Sequence, residues 1–403
     1  MKLTPSFRYF APASRVYAGI DSLTHIYREA QRLGVKRAFI VSSNTVARTT
    51  NLIQRTKDIL GDLYAGVYDG AVKESPIPSV MAGLEAAKEA APDLTISVGG
   101  GSAVVTARAI TILLAEGGTV EDHRTKYPLG QPSISPRLMK PKLPNFLVLT
   151  TPTTGANRGG AAVMDDKPPY RLELFDPKTR PVTIILDGEA LLTAPTSLFL
   201  DTSLTTFNGL IGGLQSSNLN PYSHADLKQA LEISLTSIPQ LLAHPDDPNP
   251  RIQLGAAALL ANRASDTTNT NMGGGPRPMT IGLDRQLRYR YSHIGQGASR
   301  SVLIPAEMRR NLEIMVDGQA RLAKDMGINT QGMSNAEAAE AAIQSVTDFF
   351  KSIGVATRLR DLQIPQEDFK AIAEDDTAQP AYGETTGRLS DVDQLIQVLR
   401  ETW

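Results

Sequence analysis

The sequence predicts an α/β N-terminal domain with a parallel, Rossmann-like sheet, followed by an all-α C-terminal domain. In the first half, short β-rich runs alternate with helix-length segments, which is the pattern of βαβ units. Beyond Leu191 the long segments have helical periodicity and few β-branched runs. At about 150 residues per domain, the 403 residues suffice for two domains. We place them at residues 1–190 and 191–403.

Five runs in the first half are predicted to be strands, and one segment between them has helical spacing. The helical segment covers residues 79–91, and the strands cover residues 36–41, 65–68, 94–98, 146–149 and 181–186. The third strand ends in a glycine run and the fourth in a threonine run. Because ligands of parallel sheets bind beyond the carboxyl ends of the strands, a phosphate or dinucleotide is expected beside these two runs.

The second half is predicted to be helical. Helices are expected at residues 223–242, 251–263, 305–326 and 335–353, with loops at residues 246–250 and 271–278. Neither half contains an internal repeat or a low-complexity tract.

The composition is that of an ordinary globular chain, with 41% hydrophobic and 21% charged residues. The net charge of −1 argues against a nucleic-acid partner, since that affinity comes mainly from neutralising phosphates. The absence of cysteine excludes disulfides, a thiolate nucleophile and sulfur-ligated zinc. No apolar run reaches the roughly 20 residues that cross a bilayer, and the N-terminus lacks a secretory-type apolar core. We therefore expect a cytoplasmic enzyme with no membrane partner.

A glycine-rich turn, Gly99-Gly100-Gly101-Ser102, joins a predicted strand to a predicted helix. Glycine lets the backbone approach a diphosphate closely, and the first N–H groups and dipole of the helix favour its negative charge. Ser102 offers either a hydroxyl donor or a helix cap. The alternative is a tight turn that contacts no ligand, since the spaced G-x-G-x-x-G of the ordinary Rossmann motif is absent.

A second candidate loop, residues 150–155, ends the next strand and contains Thr151, Thr153 and Thr154. A cluster of hydroxyls at the carboxyl end of a strand suits contacts with ribose and phosphate. The alternative is a threonine-rich turn stiffened by Pro152. Two such loops at equivalent strand ends strengthen the ligand-binding interpretation of each.

These motifs, in this order, resemble the iron-containing (group III) alcohol dehydrogenases, a family that includes the maleylacetate reductases and is distantly related to the dehydroquinate synthases. The resemblance covers nearly the whole chain and implies the dehydroquinate synthase-like fold, a dinucleotide cofactor and a homodimer. Residues 16–20 resemble the opening hairpin of the family. The other matching segments are residues 181–187, 193–195, 296–305, 349–354 and 359–361.

The resemblance also implies one Asp and three His as metal ligands from the helical domain, and this chain departs from that set. The corresponding positions hold Thr205, Gly209, Gln296 and, at a His-x-x-x-His pattern of which one member binds metal, Gly282 and Gln286. A shifted alignment places Asn208 and Gly212 at the first two positions. Iron or zinc needs several converging imidazole or carboxylate ligands. We therefore expect no catalytic metal.

At several positions where the family contacts its cofactor, this chain carries a different residue. Ser43 stands where NAD-preferring members carry an acidic residue that binds the adenosine ribose, and Asn44 follows it. Without that carboxylate nothing repels a 2′-phosphate, so the cofactor is expected to be NAD or NADP. Arg171 stands where a lysine often contacts the cofactor, while Val105 and Arg108 replace an Asp and a Lys after the glycine run.

Without a metal, fixed cations and N–H donors must stabilise the oxyanion that develops on a reduced carbonyl. The segment 285–293 is dense in Arg and Tyr, and Arg300 lies nearby. Arginine binds carboxylates bidentately, which favours a small anionic substrate, whereas a surface loop or subunit contact is the alternative for this segment. The predicted catalytic residues are His293, Tyr289, Arg290 and Arg158, with Arg277 and Arg288 as further candidates for the cleft.

Three functions remain open. The favoured one is a metal-independent NAD(P)H-dependent reductase acting on a carbonyl of a small, carboxylated substrate, with His293 or a tyrosine protonating the oxygen. The second is a non-redox enzyme of the lyase or isomerase type, which the changes at Val105, Arg158 and Gly160 motivate. The third is a non-catalytic nucleotide-binding homologue, because the fold alone does not select a function.

Overall fold

The computed structural model describes residues 6–7, 9, 11–128, 133–167, 170–217, 219–267, 279–377 and 391–403. All strands of the described ranges precede Gly188, and long helices follow it. The strands are β1 (Arg15–Gly19), β2 (Ala38–Ser43), β3 (Tyr64–Ala71), β4 (Leu94–Gly99), β5 (Asn145–Leu149), β6 (Gly160–Met164), β7 (Arg171–Phe175) and β8 (Thr183–Asp187).

Among the described residues, seven helices lie between the strands or directly after the last one, and nine helices build the second half. The first set comprises α1 (His25–Arg32), α2 (Asn44–Thr49), α3 (Leu52–Leu60), α4 (Ile77–Ala90), α5 (Gly101–Glu116), α6 (Val120–His123) and α7 (Gly188–Leu192). The second comprises α8 (Thr196–Leu214), α9 (Pro221–Ala243), α10 (Pro248–Thr267), α11 (Met279–Arg290), α12 (Gln296–Arg310), α13 (Leu312–Asp325), α14 (Asn335–Ser352), α15 (Phe369–Thr377) and α16 (Val392–Glu401). Within the described residues, none of these helices combines the length and apolarity needed to cross a membrane.

Six strands form one sheet in the order β1-β8-β5-β4-β2-β3, and every neighbouring pair is parallel. Every residue of β4 and of β5 is buried, because helices cover both faces of a parallel sheet. The five runs predicted as strands correspond to β2, β3, β4, β5 and β8. The predicted fold class, a parallel α/β unit followed by a helical domain, is therefore confirmed.

Two strand predictions need correction. The expected opening hairpin at residues 16–20 is wrong, because β1 pairs in parallel with β8, with Val16 opposite Ile184. An antiparallel hairpin does occur, but it is formed by β6 and β7, which were not predicted. Buried and half-buried residues alternate along β6, as expected for a two-stranded ribbon with one face on the core.

The prediction of one helix over residues 305–326 is also wrong. The chain forms two helices there, because Asn311 (φ −95°, ψ 7°) leaves the α-helical conformation between α12 and α13. The expected loop at residues 246–250 is shorter, since α10 begins at Pro248. The loop predicted at residues 271–278 lies outside the described residues.

The helical domain packs on one face of the sheet through the alternation of side chains along its strands. Ile184 and Leu186 of β8 belong to the same buried cluster as Phe199 and Phe207 of α8. Ile185 between them points to the opposite face and packs in a separate cluster with the early helices. The two halves of the chain therefore share a continuous core, and the carboxyl ends of the strands are held at a fixed position beside α8.

Candidate active site

A cleft of about 1660 Å³ lies between the carboxyl ends of the strands and the helical domain. Residues that follow β2, β4 and β5 line it on one side, together with the β6–β7 hairpin. Residues of α8, α10, α11 and α12 line it on the other. The cleft therefore occupies the position where ligands of open parallel sheets bind.

The glycine and threonine loops lie side by side in this cleft. A Cβ atom on Gly100 would come within 2.9 Å of the Oγ1 atom of Thr151, and one on Gly101 within 3.0 Å of the Oγ1 atom of Thr153. A larger residue at either position would therefore require the facing threonine to shift. The N–H of Val104 is bonded to the carbonyl of Gly100, so the N–H groups before it lie in the unpaired first turn of α5.

The predicted cofactor residues meet in the cleft, with one exception. Gly99 does not line it but lies behind it, where its φ of +148° turns the chain from β4 into α5. The residues that do line it are Ser43, Asn44, Gly100, Gly101, Ser102, Thr151, Thr153, Thr154 and Arg171. The hydroxyl of Ser43 also accepts the N–H of Val46 and so caps α2.

Arg108 has a structural position rather than a place in the cleft wall. Its side chain is fully buried, and its guanidinium donates to the carbonyls of Gly160 at 2.6 Å, Gly155 at 3.0 Å and Ala156 at 2.9 Å. The threonine loop is thereby tied to α5. On the other side, the amide of Asn262 on α10 donates to the carbonyl of Thr153 at 3.1 Å. Both domains therefore hold this loop.

A cluster of arginines and carboxylates, which we call the arginine cluster, faces the cleft from α11 and α12. At its centre Asp284, whose side chain is 1% exposed, accepts Nε of Arg288 at 3.1 Å and Nε of Arg300 at 3.0 Å. The hydroxyl of Ser299 donates to the same carboxylate. Arg288 also reaches across the cleft to Glu74 at 3.0 Å, in the loop after β3. Two guanidinium groups are thus fixed in a largely buried position.

A second ion-pair group involves the hairpin. Nε of Arg171 donates to Glu173 at 3.0 Å, and the hydroxyl of Tyr127 donates to the same carboxylate. Burial alone would raise the pKa of Glu173, but Arg171, Tyr127 and the nearby charge of Arg285 outweigh it and hold that pKa below its usual range. Glu173 is therefore an ionised acceptor, and Arg171 is positioned by it at the cleft wall.

The structure brings only part of the predicted catalytic set to the cleft. His293 lies exposed at the cleft rim and hydrogen-bonds through Nε2 to the carbonyl of Leu362 at 3.1 Å. Tyr289 and Arg290 do not line the cleft, and Arg290 pairs with Asp375 at 2.7 Å instead. The reason is the turn of α11: at 100° per residue, Arg288 shares a face with Asp284 whereas Arg290 points away.

Arg158, the fourth predicted catalytic residue, does line the cleft. Its NH2 group donates to the hydroxyl of Ser265 at 2.6 Å, and its Nε donates to Asn262 at 3.4 Å, so it connects the segment that follows the threonine loop with α10. Arg277, named as a further candidate, lies outside the described residues.

The positions that the resemblance assigns to metal ligands lie on α8, α11 and α12. Thr205 and Gly209 line the cleft on α8, Gln296 lines it at the start of α12, and Gln286 is buried in α11. Across the described part of the chain, no three His, Asp or Glu side chains come together as a possible metal site.

Three carboxylates at the cleft were not identified from the sequence: Asp201, Glu74 and Glu173. A signal existed for two of them. Asp201 lies four residues before Thr205, hence on the same face of α8, and Glu173 lies two residues after Arg171, hence on the same face of β7. Glu74 lies in an irregular loop, where no periodicity indicates the direction of its side chain.

Comparison with known proteins agrees with this architecture. Residues 13–188 match the sequence model of iron-containing alcohol dehydrogenases, and residues 200–403 match that of the C-terminal part of the same family. An NAD-dependent methanol dehydrogenase of Bacillus methanolicus is 24% identical over 97% of this chain and 98% of its own.

Solved structures show the same fold. A 1,3-propanediol oxidoreductase superposes with a TM-score of 0.84 at 22% identity, covering 99% of this chain and 100% of that one. A maleylacetate reductase from Rhizobium sp. strain MTP-10005 superposes with a TM-score of 0.76 at 20% identity, covering 99% of each chain. With both sequence models together spanning nearly the whole chain, this protein belongs to the iron-containing alcohol dehydrogenase family.

Proposed function

We propose that this protein is a metal-independent NAD(P)H-dependent reductase, which reduces a carbonyl group of a small substrate that carries a carboxylate. The observation that carries the proposal is the arginine cluster. Arg288 and Arg300 are fixed on a buried Asp284 in the region where other family members are expected to place histidine ligands. The chain itself therefore holds guanidinium N–H donors at the cleft, and such fixed donors can polarise a carbonyl oxygen.

The residues beside the two loops fit a dinucleotide. Gly100 and Gly101 have no side chains and lie close to Thr151 and Thr153. The N–H groups of the first turn of α5, which precede the first helical hydrogen bond at Val104, can bind a diphosphate. The family's nicotinamide cofactor supplies the hydride when it is bound. Ser43 brings no carboxylate to the ribose region, so this position accommodates both NADH and NADPH.

The donor set of the arginine cluster does not fit a divalent iron or zinc ion. Both oxygens of Asp284 already accept from arginine, at 3.1 Å from Arg288 and 3.0 Å from Arg300. Helix α8 offers one further carboxylate at the cleft as a potential ligand, that of Asp201. The guanidinium groups of Arg288 and Arg300 would in addition repel a cation. Iron and zinc sites need several imidazole or carboxylate ligands, so no step of the proposed reaction uses a metal.

The arginines perform two tasks in the proposed reaction. A guanidinium is a planar donor that holds a carboxylate through paired hydrogen bonds, which orients the substrate. Each of Arg288 and Arg300 uses its Nε on Asp284, and a guanidinium has further N–H donors for a ligand. Their side chains are only 11% and 19% exposed, so hydrogen bonds from their remaining N–H donors to an oxyanion are weakly screened by solvent.

Steady-state kinetics with matched substrates tests the proposal. Purified protein is incubated with NADH or NADPH and a series of keto acids, alongside neutral aldehydes and ketones of the same chain length, before and after dialysis against a chelator. We expect oxidation of the cofactor with keto acids, preference over the neutral analogues, and no loss on dialysis. Stoichiometric iron or zinc whose removal abolishes turnover would contradict the metal-independent mechanism, and preference for neutral substrates would contradict the anionic substrate.

The Gly100→Ala variant tests the cofactor cradle. The added Cβ lies 2.9 Å from the Oγ1 atom of Thr151, a buried side chain, so the threonine loop must move to accept it. We expect the Kd of NAD(P)H to rise about tenfold, equivalent to about 1.4 kcal/mol. Gly212→Ala on α8 is the matched control, because nothing lies within 4 Å of its Cβ. Fluorescence titration measures both, and equal Kd values for the two variants would refute the cradle.

A further inference from the structure

We propose that Asp201 is the proton donor of the reduction: its carboxyl group protonates the carbonyl oxygen of the substrate. This inference rests on the proposed function. As the carbonyl carbon receives the hydride, the π electron pair of the C=O bond moves onto the oxygen. The oxygen then takes the proton of the Asp201 carboxyl, which becomes a carboxylate and regains a proton from water in the cleft. The product is the alcohol, and charge and electrons balance.

The position of Asp201 suits this task. It lies on α8 and lines the cleft, and its Oδ1 atom accepts the N–H of Ala298 at 3.0 Å. The contact is possible because residue 295 is glycine, where a Cβ would come within 2.1 Å of that Oδ1. Residue 297 is also glycine, and a Cβ at that position would lie 2.1 Å from the backbone carbonyl oxygen of Asp201. The carboxyl group is therefore held in one place by the backbone of the first turn of α12.

The surroundings of Asp201 favour its protonated form. Burial raises the pKa of Asp201 and the charge of Asp284 adds to this, outweighing the backbone donors Ala298 and Gly297 and the charge of Arg288. The charged groups that face it are Asp284 and Arg288 from α11, with Arg300 of α12 on the far oxygen of Asp284.

The two aspartates therefore have separate roles. Asp284 accepts from two arginines and serves as the anion that fixes them, whereas Asp201 has no arginine or lysine partner within 4.0 Å among the described residues. Pairs of carboxyl groups with opposed environments are typical of acid and base assignments in enzymes. His293, the proton donor expected from the sequence, lies at the rim, where its Nε2 contacts a backbone carbonyl.

Asp201→Asn separates catalysis from capping. Asparagine has the same shape and caps helices as well as aspartate does, so it keeps the bond from Ala298 but carries no acidic proton. We expect kcat for keto-acid reduction to fall about 10²-fold, the lower range for general acid catalysis, with unchanged melting temperature and NAD(P)H affinity. Asp348→Asn, at a position on α14 that is 58% exposed, is the matched control and should behave as wild type.

The pH profile gives a second measurement. A proton donor must be protonated, so kcat of the wild type should fall as the pH rises through the pKa of Asp201, whereas alcohol oxidation, which needs the carboxylate, should rise over the same range. Both dependences should vanish in Asp201→Asn and persist, with a lower rate, in Asp201→Glu. The Glu variant also serves if the Asn variant does not fold.

The outcomes are distinguishable. An Asn variant with the wild-type kcat and pH profile would show that Asp201 only caps α12, and would overturn this inference while leaving the proposed function intact. Wild-type protein that binds NAD(P)H but reduces no carbonyl compound would overturn both. A reduced kcat with the pH dependence removed, at unchanged cofactor affinity, would support the assignment.

Discussion

Arg288→Met is expected to lower kcat/KM for a keto acid by about 10³-fold, the upper range for loss of one oxyanion donor from a desolvated site. The guanidinium of Arg288 is fixed by Asp284 at 3.1 Å and by Glu74 at 3.0 Å, so it is oriented before a ligand arrives. Methionine keeps the apolar stem but removes every donor. The Kd of NAD(P)H should change far less, because the glycine and threonine loops stay intact.

Two further variants make this expectation specific to Arg288. Arg310→Met removes an arginine of α12 that pairs with Glu401 at 3.4 Å outside the cleft, and it should leave kcat/KM unchanged. Arg288→Lys keeps the charge but not the planar fork, so it should recover only part of the activity. If Arg288→Met reduces keto acids as fast as Arg310→Met does, the arginine cluster is not the substrate site.

Arg108→Met is expected to lower the free energy of unfolding by about 4 kcal/mol, since three carbonyls, one of them fully buried, lose their charged donor at once. The guanidinium donates to Gly155 and Ala156 in the threonine loop and to Gly160 at the start of β6. The side chain is fully buried, so the loss of its hydrogen bond to the buried carbonyl of Ala156 leaves that group unsatisfied. Because the same loop is part of the proposed cofactor cradle, affinity for NAD(P)H should fall as well.

Urea denaturation followed by circular dichroism measures this effect. Arg309→Met, at an exposed position of α12, is the matched control and should change stability by less than about 0.5 kcal/mol. Arg108→Lys keeps one charged donor in place of the fork and should have an intermediate effect. A loss below about 1 kcal/mol for Arg108→Met would show that the carbonyls find other partners.

Much of the fold was predictable because it follows from local patterns. The alternation of β-rich and helical segments indicated β2, β3, β4, β5 and β8, and helical periodicity indicated most of the second half. The β6–β7 hairpin also has a local signal, because apolar residues alternate along both strands at Ala161, Val163, Leu172 and Leu174. The pairing of β1 with β8 joins residues far apart in the chain, so no local pattern reveals it.

Only those site residues that are close together in the sequence were predictable. The cradle residues stand in two short loops, and the sequence placed them correctly beyond their strands. Arg288 and Arg290 are both arginines, two positions apart, so the sequence alone does not distinguish their roles. The turn of helix α11 directs Arg288 to the cleft and Arg290 to Asp375. Asp201, Glu74 and Glu173 come from three separate elements, so their convergence depends on tertiary structure.

The loop after β3 has a mechanical consequence. Glu74 (φ +64°) and Ser75 (φ +51°) are consecutive left-handed residues, a conformation that costs a non-glycine residue about 1–2 kcal/mol. The hydroxyl of Ser75 donates to the carbonyl of Ser102 at 3.1 Å, while Glu74 holds Arg288. Two adjacent residues of this loop therefore connect the first turn of α5 with the guanidinium of Arg288 on the other side of the cleft. A dinucleotide that binds at the first turn of α5, as proposed, would therefore act on Arg288 through this loop.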